Sequence, residues 1–448
     1  VEEMEVVFDE YIKLMESGNY IELKRELNDE NAANLAEFFE ELPADKQLFI
    51  FRLLTKDNAA DVFSYMDSDT QEHIVKSITD NEVRNIVDEL CMDDTVDFLS
   101  EAPANLVTKV LRNTDENKRE LINKFLNYPE NSAGSIMTIE FVQFHELMTV
   151  ARAMEQLRKT GVDKETIYTC YVVDSSRKLQ GVLPLRRLIL ADDDTIVKEL
   201  MNDDIITVGT LDDQEYISHL FKKYNLIAMP VVDKENRLVG IITVDDIVDV
   251  IEQENTEDIE KMSALLPSDD EYLKTSVFEL AKNRIPWLLV LMISGTISGA
   301  IMGLYDDLLA KVIALSTFVP LLMGTGGNAG SQASTLIIRG MALGEIEMKD
   351  ILKVIWKEFR VGIISGAILS IVNFIRLTVM HPEQFFVNIT VSVSMLCVVV
   401  VAKSIGCTLP IFAKKCGFDP AIMAGPLITT IVDSVALLIF FNIAGILV

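Results

Sequence analysis

The sequence is poor in the residues that build disulfide scaffolds, zinc sites and hydrolytic centres. Only four histidines and five cysteines occur in 448 residues. Cys91, Cys170, Cys397, Cys407 and Cys416 show neither paired nor metal-ligand spacing, so they read as reduced core or lipid-facing thiols. The histidines are scattered, and no catalytic arrangement appears; the chain does not read as an enzyme. Basic residues are also short, 40 Lys and Arg against 69 Asp and Glu for a net charge of −29, which argues against a nucleic-acid partner. The start, "VEEMEVVFDEYIKL", lacks the basic and apolar regions of a signal peptide, so the first 280 residues are expected in the cytoplasm.

What the sequence does have is unevenly placed. Nearly all the excess acid precedes residue 281. Long apolar runs then cover residues 285–305, 312–338, 360–380, 386–413 and 421–447, each at or above the roughly 20 residues that span a bilayer. Five transmembrane helices are predicted. Lys274, Lys282 and Arg284 precede the first; Arg339, Lys349, Lys353, Lys357 and Arg360 lie between the second and third; Lys403, Lys414 and Lys415 lie near the fourth connection. The other connections hold few basic residues. This bias puts the N-terminus in the cytoplasm and the C-terminus outside, in a multi-pass plasma-membrane protein.

Residues 1–130 carry apolar positions at helical spacing, broken by "ELPADK", "YMDSDTQ" and "SEAPANL". Short capped helices in a superhelix are expected, with an ordinary helical bundle left open because the repeat is loose. "NYPENSAGSIM" breaks helix near residue 131. Beyond it a duplication is visible: "YVVDSSRKLQGVLPLRRLI" (171–189) aligns without gaps on "PVVDKENRLVGIITVDDIV" (230–248). Each copy reads strand, charged turn, strand, helix start, and each follows an amphipathic helix. The pair, at 131–200 and 201–250, resembles tandem α/β CBS domains, regulatory modules that often bind adenine nucleotides. Thr243 and Asp246 of the second copy match the T-x-x-D that holds a ribose, and equally suit a helix cap. The first copy has Pro184 and Arg187 there, so ATP is not assured as a ligand.

"DDIVDVIEQENTEDIEKM" then gives an acidic connecting helix, placed within 246–275. Asp246, Asp249, Gln253, Glu257 and Glu260 fall on one stripe, with Glu254 and Asp258 beside it. Like charges at this spacing each cost about 0.2–0.5 kcal/mol. Either water solvates the face or a hard cation such as Mg²⁺ offsets it. Asp93 and Asp97 form another i,i+4 acidic pair in the helical part.

In the membrane part, 276–448, Asp433 is the one charge of the last span, with Pro426 freeing backbone groups before it and Thr429, Thr430 and Ser434 adding hydroxyls. An ionisable group at that depth costs at least about 2.5–3.5 kcal/mol and points to an ion path. "PLLMGTGGNAGSQASTLIIRG" (320–340) supplies the other wall: its glycines permit close helix approach or exposed carbonyls, and Asn328, Ser331, Gln332 and Thr335 offer neutral oxygens. "GTISG" (295–299) and "GIISG" (362–366) read as packing motifs. Two Asp433 carboxylates facing across a dimer axis would favour a divalent ion.

"YPENSAGSIM", the duplicated pair, the acidic helix, the Gly-rich span and "GPLITTIVDSVALLIFF" occur in the order seen in the MgtE family of magnesium channels, which the whole chain resembles. The resemblance implies a homodimer with a Mg²⁺ pore on its two-fold axis, lined by Asp433, Asn328, Ser331, Thr335 and Thr429. It implies that the connecting helix is a plug, that Asp246, Asp249, Glu254, Glu257 and Asp258 are regulatory carboxylates, and that Asp93 and Asp97 contribute from the helical domain. Cytosolic Mg²⁺ would then close the pore by bridging acidic surfaces. Other divalent cations are possible cargo, lipid surrounds the spans, and an ion-coupled divalent-cation transporter is the alternative.

Overall fold

The computed structural model describes residues 2–268, 272–273 and 275–448, which form two compact units, 1–251 and 252–448. The first unit begins with ten helices: α1 (Glu2–Glu16), α2 (Tyr20–Asp29), α3 (Ala32–Glu41), α4 (Ala44–Phe51), α5 (Lys56–Ser64), α6 (Ser68–Ser77), α7 (Asp80–Glu89), α8 (Met92–Glu101), α9 (Ala104–Asn113) and α10 (Glu116–Phe125). From α2 onward every helix starts 12 residues after its predecessor. The repeat is therefore strict in backbone register, although its cap residues vary: Asn31, Pro43, Thr55, Asp67, Thr79, Cys91, Pro103 and Asp115. Helices two apart stack, α3 on α5 on α7 on α9 and α4 on α6 on α8, which makes a two-layer superhelix. Buried glutamines recur at the same phase, Gln47 Nε2 donating to the Phe39 carbonyl and Gln71 Nε2 to that of Phe63, each at 2.8 Å.

The duplication folds as two three-stranded sheets of identical order. β1 (Phe141–His145), β2 (Thr166–Val173) and β3 (Leu179–Pro184) form one, with α11 (Val150–Thr160), α12 (Leu185–Ile189) and α13 (Val197–Leu200); β4 (Val208–Gly209), β5 (Ala228–Val232) and β6 (Leu238–Thr243) form the other, with α14 (Gln214–Tyr224). In each, the first strand pairs parallel and the next two antiparallel. The copies meet about a pseudo-two-fold: Leu179 N donates to Asn236 O at 3.0 Å and Leu238 N to Arg177 O at 3.1 Å, with Val173, Leu179, Val232 and Leu238 in one shared core. "NYPENSAGSIM" docks on the second copy, Ala133 N donating to Asp212 O at 2.7 Å and Gly134 N to Thr210 O at 2.9 Å, and just after it Thr138 and Ile241 exchange backbone hydrogen bonds of 2.8 and 2.9 Å.

α15 (Val244–Met262) runs on directly from β6. It ends at Met262 and Ala264 takes a left-handed φ of 56°, so the connecting helix is shorter than 246–275; residues 269–271 and 274 of that span lie outside the described residues. The membrane part contains α16 (Val277–Leu304), the short α17 (Asp306–Lys311), α18 (Val319–Ala342), α19 (Ile351–Met380), α20 (Phe385–Lys415) and α21 (Gly425–Leu447). Four of the long helices are apolar enough by composition to cross a membrane. The fifth, α18, is 24 residues long, about 36 Å at helical rise, and its polar residues dilute its hydropathy.

Four details differ from the sequence reading. Pro286 lies inside α16, and α18 starts at Val319 behind a 3₁₀ segment, Ile313–Phe318, rather than at 312. Pro426 sits in the first turn of α21, where its missing N–H costs nothing, so it frees no backbone group at membrane depth. The glycines of "GTISG" make no close helix contact within the protomer, since a Cβ on Gly295 or Gly299 would meet nothing within 4 Å, although Ser298 Oγ of that motif lies 3.4 Å from Ser434 Oγ of α21; a Cβ on Gly362 would lie 3.0 Å from the Val400 Cα.

Candidate ion-binding sites

The Gly-rich stretch is continuous α-helix, so it exposes no row of carbonyls; its glycines and its polar side chains do separate jobs. Gly326, Gly327 and Gly330 are buried against α20 and α21, and a Cβ on Gly330 would sit 2.9 Å from Ile428 and 3.2 Å from Val432. Gly406 of α20 abuts the Gly330 backbone. The helices thus touch backbone to backbone.

On the uncovered side of α18, Gly324, Asn328, Gln332 and Thr335 are exposed and Ser331 half-buried. Gly327 brings this helix against the predicted acidic position: its Cβ direction ends 3.7 Å from Asp433 Oδ1 and 3.1 Å from Thr429 Cγ2. Asp433 itself is half-buried, and among the described residues no lysine or arginine lies within ion-pairing distance. The hydroxyls of Thr429 and Thr430 donate back to the Pro426 carbonyl at 2.8 and 2.9 Å, and Ser434 Oγ to that of Thr430 at 3.2 Å. These bonds use the hydroxyl protons and leave the oxygens able to accept. Asp433, Thr429, Asn328, Ser331 and Thr335 are therefore carried on two packed helices.

The second concentration of acid lies in the first unit. α8 presents Asp93 and Asp97 one turn apart, and the first turns of α15 present Asp246 and Asp249. Burial, then Asp246, Asp94 and Glu165, holds the Asp93 carboxyl well above the ordinary range. Burial and the charges of Glu165, Asp246, Asp97 and Asp245 push Asp94 up to about 7. At the exposed edge, burial with Glu101 and Asp249 pushes Asp97 up to about 6. Asp246 is also raised to about 6, chiefly by burial and against the pull of its hydrogen bonds from Thr243, whose hydroxyl and N–H both donate to it. The Asp246 carboxylate thus reaches back to the N–H that opens α15, the acid half of a capping box.

Sequence reasoning missed part of this cluster. Cys91 occupies a cap position of the 12-residue repeat but makes no capping bond; its Sγ lies within 4.8 Å of a carboxylate oxygen from each of Asp93 and Glu165. Burial and Glu165 push its thiol pKa up. Glu165 precedes β2 and is remote in sequence, and no spacing signals it. Asp94 adjoins Asp93 and was visible but assigned no role. Of the other connecting-helix acids, Glu257 is paired with Lys261 at 2.6 Å, while Glu254 and Asp258 lie with it in the second unit rather than with Asp93.

A family profile described as MgtE, divalent cation transporter, matches residues 319–443; one described as the MgtE intracellular N domain matches 30–131, and CBS domains match 133–194 and 197–253. The magnesium transporter MgtE of Thermus thermophilus is 36% identical over 438 residues, covering 97% of this chain and 96% of that protein. This chain belongs to the MgtE family. The Bacillus subtilis member is 32% identical over 97% of this chain and 95% of its own length. Its relatives are transporters, not enzymes, and this MgtE chain is a multi-pass membrane protein of magnesium transport with a family N domain and tandem CBS domains. Among solved structures, the soluble part of a magnesium transporter matches with 30% identity and a TM-score of 0.54, over 56% of this chain and 99% of that one. The cytosolic domain of the Mg²⁺ channel MgtE in complex with ATP matches with 37% identity and a TM-score of 0.51, over 53% and 97%.

Proposed function

We propose that this chain forms a homodimeric Mg²⁺-selective channel of the plasma membrane, with its N-terminus in the cytoplasm and negative feedback from cytosolic Mg²⁺. The observation that carries the pore is the polar stripe of α18 beside Asp433, uncovered in the protomer. Lipid is a poor environment for such a surface, so water or a second copy must face it. Two copies related by an axis along this face would set two Asp433 carboxylates opposite each other. Their repulsion favours a divalent ion, and Mg²⁺, which keeps several waters, suits few carboxylates and many neutral oxygens.

The feedback rests on the cluster of Asp93, Asp94, Glu165, Asp246 and Cys91, with Asp97 and Asp249 at its edge. Burial, with the neighbouring charges, pushes Asp94 up to about 7 and Asp97 and Asp246 up to about 6, which means that closing them together costs free energy once they ionise. A divalent cation offsets that cost, and by linkage its binding favours the conformation that brings them together. Glu254, Glu257 and Asp258 act later along α15, toward the membrane part, as the plug. A nucleotide ribose at Thr243 and Asp246 would have to replace their mutual hydrogen bonds, and the ATP complex of the relative supports such a ligand.

The test is Mg²⁺ flux into liposomes holding the full-length protein, with cytoplasmic-side Mg²⁺ varied and no other ion gradient. Flux suppressed by cytoplasmic-side Mg²⁺ supports pore and feedback together. Flux that requires a proton or sodium gradient would replace the channel with a coupled transporter.

A further inference from the structure

The last turn of α15 contains an internal cation. Lys261 Nζ lies 2.6 Å from Glu257 Oε1 and 2.7 Å from Asp419 Oδ2, with the lysine side chain only 19% exposed. Burial alone would lower the ammonium pKa, but the hydrogen bonds from Lys261 to Asp419 and Glu257 outweigh it and the group stays charged. Asp419 is a cap residue as well. Its other oxygen accepts from Ala421 N at 2.8 Å, capping the 3₁₀ turn Pro420–Met423 that leads directly into α21.

A second contact lies one residue further on. Gly425, the first residue of α21, has φ of +42°, and a Cβ there would stand 2.5 Å from the Met262 carbonyl oxygen. Only glycine allows both that backbone conformation and that approach. Past the helix end, Leu266 N donates to Asn283 O of α16 at 3.1 Å and Ser268 N to Glu260 Oε2 at 3.0 Å. The C-terminus of α15 is thus seated on the first turn of α21, two turns ahead of Asp433.

We propose that Lys261 is a tethered cation that latches α15 to the inner end of α21, holding the plug in place without a divalent ion, and that breaking the Lys261–Asp419 pair is a step in opening. The inference rests on the reading of α21 as a pore helix. It divides the control in two. The cluster around Asp93 has no lysine or arginine ion-paired to Asp93, Asp94, Glu165 or Asp246 among the described residues, and depends on an added cation. Glu257 and Asp419 carry their own. The latch therefore sets how much Mg²⁺ the cluster needs before the pore closes.

The experiment compares full-length wild type with Lys261→Gln, Asp419→Asn, the double variant and the charge swap Lys261→Asp with Asp419→Lys. Two readouts are taken: the cytoplasmic-side Mg²⁺ that halves liposome flux, and hydrogen exchange at the amides of 255–266 and 420–425. Each single neutralisation should raise the half-inhibiting Mg²⁺ and speed exchange in both segments about fivefold, the upper range for a partly exposed pair. The double variant should be no worse than the singles, and the swap should recover most of the loss. Unchanged exchange in Lys261→Gln would overturn the latch whether or not the protein conducts. Faster exchange with unchanged Mg²⁺ inhibition would overturn its role in gating, and absence of Mg²⁺-suppressed flux from wild type would overturn the channel reading instead.

Discussion

Asp94→Asn is the sharpest test of the acidic cluster, because its effect depends on both pH and divalent cation. In the folded chain the Asp94 carboxyl keeps its proton up to about 7, against 3.8 for the free side chain, because it is buried beside Glu165 and Asp246. The folded state therefore binds more protons than the unfolded state between those values. Its contribution is fully present below pH 3.8 and is lost as pH rises through about 7. At about 1.4 kcal/mol per pKa unit the ceiling is on the order of 4 kcal/mol. Neighbouring acids share the same field, so about 2 kcal/mol is expected between about pH 5 and about pH 8. For a unit of this size that is a fall in Tm of roughly 4–8 °C, measured by circular dichroism on the compact fragment 1–251 in EDTA. Mg²⁺ at ten times its half-saturating concentration should restore about 1.4 kcal/mol at the higher pH. Asp94→Asn removes one charge from the crowd, so it should flatten the pH dependence and raise Tm in EDTA at about pH 8 while shrinking the Mg²⁺ increment. A wild-type Tm independent of pH, or an unchanged Mg²⁺ increment in the variant, would refute the electrostatic argument.

Four further outcomes follow from named contacts. Asp433→Ala should abolish selective Mg²⁺ uptake in liposomes while the protein elutes at the wild-type position; normal uptake removes the pore assignment. Neutralising Asp246, Asp249, Glu254, Glu257 and Asp258 together should leave conduction intact and raise the Mg²⁺ needed for closure at least tenfold in patch recordings. Gly406→Ala forces a methyl group into the Gly330 backbone and should cost about 1–3 kcal/mol, seen as a lower Tm in detergent, whereas Gly324→Ala, with nothing within 4 Å, should leave Tm unchanged. Cys91, its thiol pKa raised by burial and Glu165, should react with maleimide far more slowly than exposed Cys416, and unfolding in denaturant should equalise the two.

Much of this architecture was legible in order and type, and the losses have physical causes. The duplication could be read because identical strand and turn chemistry recurs: Asp174 and Asp233 each accept backbone bonds from two residues further along the same turn. The 12-residue helical repeat was obscured because its N-cap positions are filled by Asn, Pro, Thr, Asp and Cys, which start helices by different means. Asp93, Asp97, Asp246 and Asp249 were visible as i,i+3 and i,i+4 acid. Glu165 was not, because only tertiary folding carries a loop carboxylate to α8.

Lys261 shows a different kind of loss. Glu257 and Lys261 stand at i,i+4 with the acid first, the orientation that favours a helical ion pair, so the partner was written in the sequence. The count of acids on one stripe drew attention to a missing cation and away from the one already there. In the fold, the stripe divides: Asp246 joins a cluster with raised carboxyl pKa values, the charge of Asp249 acts on Asp97 at its edge, and Glu257 joins a neutralising bridge. One helix thus carries acids of opposite ionic demand at its two ends. A change in divalent cation acts directly on the first turns and leaves the last turn charge-satisfied, which lets α15 stay seated on α21 by its own lysine until the repulsion at its other end is no longer offset.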